Sequence, residues 1–244
     1  MVNVLNTPIY TEVSKIYNHI MRKVRYDYWA DYIYAISNEY VGDEPRVLEL
    51  GSGNCHLARF ISAYYPNLIA TDLSHAMLSN NSKANLQKVC CDMTAIPFNT
   101  KFDLIFSAFD SVNYLITKIK LVSLFNEVYR TISDNGIFTF DVSLEKNSYR
   151  HIKDPIRMGS YKGIQYRQET DFDSIKNIHR NVFYITYPDG NMLKEVHIQK
   201  IYSFETYFDL MDSAKLAVKE CYDAFTFKDG SAKSSRVQFI VVKK

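Results

Sequence analysis

The chain has 244 residues, a formal net charge of +2, 47% hydrophobic and 23% charged residues. That length suits one well-buried α/β domain carrying an insertion better than two full domains, and near-balanced charge without a basic run leaves no footprint for nucleic acid. No apolar run is long enough to cross a bilayer, and the opening MVNVLNTPIY lacks the basic-then-apolar pattern of a secretory leader. A cytoplasmic protein without membrane contact is expected. The four cysteines, Cys55, Cys90, Cys91 and Cys221, form no CxxC pair and have no histidine at metal-ligand spacing. Buried, reduced thiols and no metal site are expected.

Tyr10, Val13, Tyr17, Ile20 and Val24 recur at three- and four-residue steps, as do Trp29, Tyr32, Ile33, Ile36 and Tyr40. Both stretches read as amphipathic helices, and Gly42-Asp43-Glu44-Pro45 ends the pattern. From Arg46 the texture changes to short apolar runs alternating with helical stripes. Strands are predicted over 47–50, 68–71, 86–90, 102–106 and 137–142, with a helical stripe at Leu57, Phe60, Ile61 and Tyr64. A second stripe runs through Leu121, Leu124, Phe125, Val128 and Ile132, stopped by Asp134-Asn135-Gly136. This alternation implies right-handed crossovers and a largely parallel sheet covered on both faces.

After about Pro155 the pattern becomes long and polar-alternating. Segments 164–170, 176–187 and 192–202 read as a half-exposed antiparallel insertion, with Pro188-Asp189-Gly190-Asn191 as a turn. A helix over 204–216 and two strands over 218–227 and 237–242 complete the chain. The organisation expected is a single domain over 1–244, with a helical lid over 1–42, a core over 45–150, the insertion over 151–202 and a closing helix and strands over 203–244.

The strongest local signal is Glu49-Leu50-Gly51-Ser52-Gly53-Asn54-Cys55, set between a predicted strand and helix. Glycines there allow a sharp turn and close approach of backbone to a ligand, and the start of a helix offers free N–H groups. A dinucleotide G-x-G-x-x-G fails, because the third position is His56. Asp72 ends the next strand about twenty residues on, the distance at which an acid grips ribose hydroxyls across a βαβ unit.

The order acid-x-Gly-x-Gly, followed by Thr71-Asp72-Leu73-Ser74-His75-Ala76-Met77-Leu78, resembles the first two motifs of class I S-adenosylmethionine-dependent methyltransferases. Cys55 stands where that family usually has a third glycine. Cys91-Asp92-Met93 after the third strand and Phe102-Asp103-Leu104-Ile105 in the fourth continue the likeness. Asp110-Ser111-Val112-Asn113-Tyr114-Leu115 is similar to the D-S-x-N-Y-L signature of small-molecule members with an N-terminal lid and an antiparallel insertion. His197-Ile198-Gln199-Lys200-Ile201-Tyr202 is similar to a His-x-Gln-Arg-x-Tyr stretch, with lysine for arginine. An Asn-Pro-Pro-Tyr-like sequence, usual in members that methylate exocyclic base nitrogens, is absent.

The resemblance implies a Rossmann-like, doubly wound, mostly parallel seven-stranded sheet with S-adenosylmethionine as cofactor and S-adenosylhomocysteine as product. It implies cofactor contacts from Glu49, Gly51, Ser52 and Gly53, from Asp72 on the ribose, and from Leu73 and Met77. Asp92 and Met93 meet adenine, and Ser107 stands at the fourth strand's end. Tyr10 and Tyr17 close over the methionine end, with Trp29 in the same wall.

In-line methyl transfer mainly needs alignment, and His197 and Asp110 are the candidates if a general base is used. Glu195, His197 and Gln199 share one strand face, which either meets solvent or overlooks the pocket. The partner expected is a small-molecule acceptor, and the protein a monomer or homodimer. The alternatives are a catalytically silent cofactor-binding or scaffold protein and methylation of RNA or protein.

Overall fold

The computed structural model describes residues 4–80 and 86–244. In chain order, β1 (Val4–Asn6) precedes two helices, α1 (Val13–Ile20) and α2 (Tyr26–Ser37). The alternating core follows as β2 (Val47–Leu50), α3 (His56–Ile61), β3 (Leu68–Asp72), α4 (His75–Ser79), β4 (Gln87–Cys90), β5 (Phe102–Ser107), α5 (Lys118–Thr131) and β6 (Ile132–Ser143). Then come α6 (Glu145–His151), the strands β7 (Ile156–Tyr161), β8 (Ile164–Asp173), β9 (Ile178–Thr186) and β10 (Met192–Lys200), and finally α7 (Phe204–Ser213), β11 (Leu216–Asp223) and β12 (Arg236–Lys243).

Seven strands form one sheet in the order β11-β12-β6-β5-β2-β3-β4. β6, β5, β2, β3 and β4 are parallel, and β12 and β11 add as an antiparallel pair. The short apolar runs are buried on both sides, and successive residues feed opposite layers. Leu48, Leu50, Ile105, Phe138 and Phe140 pack with α5 and α7. Val47, Leu104, Phe106 and Ile137 pack with α2 and α3. This is the doubly wound α/β fold expected, and it brings the C-terminal ends of β2, β3 and β5 to one edge, where such folds hold ligands.

A second sheet has the order β1-β10-β9-β8-β7. Its antiparallel meander β7–β10 is joined by β1, which runs parallel to β10. Val13 and Ile16 of α1 pack on Phe183 and Ile185 of β9, so the N-terminal helix lies between this sheet and the core.

The structure departs from the expected elements in places. Tyr10 stands before α1, in a left-handed conformation with φ of 58°, and the stripe ends at Ile20. β6 starts at Ile132 rather than 137, because Asp134-Asn135-Gly136 is absorbed where the β5–β6 register shifts. α6, β1 and β7 were not anticipated. Cys55 is buried, but Cys90 is exposed and Cys91 and Cys221 are half-buried, all as free thiols. Among the described residues no helix is long and apolar enough to cross a membrane.

Candidate active site

The loop after β2 shows why glycine stands where it does. Gly51 and Gly53 have φ of +72° and +56°, a region that L side chains rarely adopt. A Cβ on Gly51 would lie 2.8 Å from the Ser111 Cβ, and one on Gly53 would lie 3.1 Å from the Met77 Cε. The loop's N–H groups are largely paired within the protein. Ser52 N–H donates to the Thr71 carbonyl (2.8 Å), Gly53 N–H to Asp72 Oδ2 (2.7 Å) and Cys55 N–H to the Ser52 carbonyl (2.8 Å). These glycines therefore contribute close approach, not the free helix-start donors expected from sequence.

Asp72 is held in place rather than capping a helix. Ser74 N–H donates to its Oδ1 at 2.7 Å, opposite the Gly53 contact. The N-cap of α4 is Ser74, whose Oγ accepts the Met77 N–H. Burial pushes the Asp72 carboxyl up, and the two N–H groups oppose that shift. Glu49, from β2, is almost wholly buried, and its Oε2 has no hydrogen-bond partner among the described residues. Desolvation, with help from the charge of Asp72, pushes its carboxyl up to about 8. A carboxyl in that condition accepts a cationic partner readily, releasing its proton.

Glu49, Gly51, Ser52, Gly53, Asp72, Leu73, Met77, Asp92 and Met93 all border one cavity of about 720 Å³, within the usual range for small-molecule sites. Tyr10 and Tyr17 border it from the lid side. α1 is tied down there. Asn18 Oδ1 accepts from the Asn54 amide and lies 3.1 Å from His56 Nε2. Two expected contacts are corrected. Trp29 borders no part of the cavity; it packs against Phe109 and Phe225, with the Arg236 guanidinium over its ring. Ser107 is buried with its hydroxyl donating to the Leu50 carbonyl at 2.9 Å, so it braces β5 on β2.

A second cavity of about 250 Å³ adjoins the first, and Tyr10, Tyr17, Phe109 and Tyr114 border both. Phe109 and Asp110 have consecutive positive φ angles of 59° and 50°. Such strain in non-glycine residues needs support from its surroundings, and Asp141 Oδ2 supplies it by accepting the Asp110 N–H at 2.9 Å. The Asp110 carboxylate accepts from Ser143 Oγ (2.8 Å), pairs with Arg236 (3.2 Å) and lies 3.3 Å from Gln199 Nε2. Those donors already occupy its oxygens, so it serves positioning better than proton removal. Asn113 of the same segment is fully buried. It donates to the Ser143 and Lys200 carbonyls and accepts the Ser143 N–H, knitting the loop after β5 to β6 and β10.

The polar face of β10 is not solvated. Glu195, His197 and Gln199 are all buried. Glu195 accepts the N–H groups of Tyr10 (2.8 Å), Glu12 and Val13 (3.0 Å), satisfying backbone donors at the start of α1 that no helix can pair internally. It also lies 3.1 Å from His197 Nε2. A carboxylate there fixes the imidazole with its proton on Nε2, leaving Nδ1 to accept. Nδ1 is 3.4 Å from the Tyr114 hydroxyl, which is 2.7 Å from the Tyr10 hydroxyl. Burial pushes the Tyr10, Tyr17 and Tyr114 phenols up, so they stay neutral. Tyr114 stood unremarked inside the D-S-x-N-Y-L segment, and Phe109 just before it. The period-2 polar run of β9 and β10 was the signal for the rest of the second cavity.

Fold and site together define a Rossmann-like methyltransferase architecture. Residues 47–136 match the family model described as a methyltransferase domain. A methyltransferase of Geobacillus sp. (strain WCH70), which carries a provisional name, is 25% identical over 245 residues, covering 96% of this chain and 99% of that one. A solved S-adenosylmethionine-dependent methyltransferase from Clostridium acetobutylicum ATCC 824 has a TM-score of 0.79 at 24% identity, covering 96% and 98% of the two chains. CalS10, an amino pentose methyltransferase from Micromonospora echinaspora solved with S-adenosylmethionine bound, has a TM-score of 0.70 at 14% identity, covering 93% and 94%. Residues 47–136 are thus a methyltransferase domain by the family match, and the whole chain has the fold of S-adenosylmethionine-dependent methyltransferases.

Proposed function

We propose that the larger cavity holds S-adenosylmethionine and the smaller one a small-molecule methyl acceptor. The observation that carries this reading is the pair of adjoining cavities divided by four shared aromatic residues. In the larger one, Asp72 presents its carboxylate to the ribose hydroxyls, and Asp92 and Met93 meet adenine. Gly51 and Gly53 leave room for the cofactor's tail, and the buried, unpartnered Glu49 faces its ammonium. The bound cofactor supplies a methyl group on a sulfonium, already activated for displacement. The protein's part is then alignment and exclusion of water, which can supply effective molarities on the order of 10⁵–10⁸ M.

Tyr10 and Tyr17 close the site from the lid, and the acceptor's nucleophile comes up against the Tyr10 and Tyr114 hydroxyls. A proton leaving the acceptor passes along Tyr10, Tyr114 and His197, with Glu195 stabilising the imidazolium. The solved amino pentose methyltransferase, similar along nearly its whole length, favours a small acceptor, as does a cavity smaller than the roughly 300 Å³ at which drug-sized sites begin. Screening amines, phenols and carboxylic acids for S-adenosylhomocysteine release at saturating cofactor tests it. Release with at least one small acceptor is expected. Release only with RNA or protein would contradict the reading.

A further inference from the structure

The insertion sheet has an unusual inner face. Residues paired across strands share a face, and on this one Arg157 pairs with Gln168, Thr170 with Asn181, Asn181 with His197, and His179 with Gln199. Phe183 and Ile185, further along β9 on the same side, lie under α1. One end of the face is thus apolar core, and the other is a polar wall bordering only the smaller cavity. Arg157, Gln168, His179 and Asn181 line that cavity and take no part in the larger one.

This wall has donors without a partner among the described residues. Asn181 Oδ1 accepts twice, from Gln168 Nε2 at 2.8 Å and from Thr170 Oγ1 at 2.7 Å. That fixes the amide the other way round, with Nδ2 lacking a partner among the described residues. His179 is 5% exposed, and its Nδ1 is buried without a partner among the described residues. Burial and the neighbouring His151 hold its imidazole below the usual range, so it is neutral near pH 7 and can donate one N–H. Arg157 stands at the exposed rim and forms no ion pair with a described carboxylate; burial, helped by its charge, pushes the His151 imidazole down. The cavity's other guanidinium, Arg236, is already paired with Asp110 and Asp141.

We propose that this wall is a carboxylate subsite: Arg157, Asn181 and His179 bind the carboxylate of the methyl acceptor and hold its nucleophile against Tyr10 and Tyr114. The inference rests on the smaller cavity being the acceptor's. One uncompensated guanidinium with neutral amide and imidazole donors matches a single negative charge; a phosphomonoester, carrying nearly two, would leave charge unmatched. The cavity's size restricts the acceptor to a small acid, such as an amino acid or an amino- or hydroxybenzoate.

The test compares such acids with their carboxamides as acceptors, reading S-adenosylhomocysteine release, and measures benzoate binding to the S-adenosylhomocysteine-loaded protein by ligand-observed NMR. Acids should have KM values at least about tenfold below their amides. Arg157→Ala should raise KM for the acid by about tenfold to a hundredfold with kcat little changed, the signature of lost uniform binding. It should leave the amide's KM unaltered, and Arg157→Lys should restore part of the loss. Equal use of acids and amides, an Arg157→Ala enzyme with unchanged KM for the acid, tighter binding of phosphomonoesters, or no benzoate binding at millimolar concentration would each overturn the subsite. Calorimetric binding of S-adenosylhomocysteine is measured alongside. Its absence would remove the cofactor reading itself, whereas its presence without acid selectivity would remove only this inference.

Discussion

Replacing Glu195 with alanine is expected to loosen the N-terminal segment by about 3–5 kcal/mol, the cost of leaving several buried backbone donors without their acceptor. The carboxylate is wholly buried and is the acceptor for three backbone N–H groups before and within the first turn of α1, besides lying against His197. Its removal leaves those donors without water or partner, at roughly 1–3 kcal/mol each for unsatisfied buried groups, partly relieved if the segment lifts away. The readout is amide hydrogen exchange over residues 13–21, which should accelerate by about 10²–10³-fold, while amides of β2 and β5 change far less. Glu195→Gln keeps the volume and one acceptor oxygen, and should fall between. Unchanged exchange in Glu195→Ala would show that α1 is held by Val13 and Ile16 packing alone.

His197→Gln should lower kcat for the true acceptor by roughly 10²-fold or more, the usual range for loss of a general base. Affinity for S-adenosylhomocysteine should stay within about twofold, because His197 does not border the larger cavity. Tyr114→Phe interrupts the same relay one step earlier while keeping the ring. The double variant should be little worse than His197→Gln, since residues acting as a unit are strongly non-additive. A change confined to KM would make His197 a binding group, and unchanged kinetics would remove proton transfer from its role.

The core was legible in the sequence because its strands are buried on both faces. Val47–Leu50, Phe102–Ser107 and the second half of β6 are short, mostly apolar runs set between turn and helix signals, the pattern of strands covered on both faces. That Asp72 stands against the glycine loop was legible from its spacing. The elements missed carry no pattern to read. α6 is polar on nearly every side, β1 is three residues long, and β7 is largely exposed and interrupted by Gly159.

The insertion inverted an ordinary rule. Polar residues at alternate positions usually face water, but in β10 they face inward, because what they cover is a small polar cavity rather than a core. Nor could periodicity name partners distant in the chain. Trp29 was rightly placed on a buried helix stripe, yet its neighbours Phe225 and Arg236 come from the far end of the sequence. Arg157, on β7, and His179 and Asn181, on β9, border one cavity although β8 separates their strands, a grouping that no local pattern announces.

Titration calorimetry with S-adenosylhomocysteine, on the unmodified protein and on Asp72→Ala, bears most directly on the cofactor site. Asp72 is positioned by two N–H groups from Gly53 and Ser74, and charge-assisted hydrogen bonds of the kind it would make to ribose contribute roughly 1.5–3 kcal/mol. The unmodified protein should bind S-adenosylhomocysteine with a Kd of about micromolar order and give no heat with NAD, and Asp72→Ala should bind about tenfold to a hundredfold more weakly. No binding by the unmodified protein, or equal affinity in Asp72→Ala, would contradict the account.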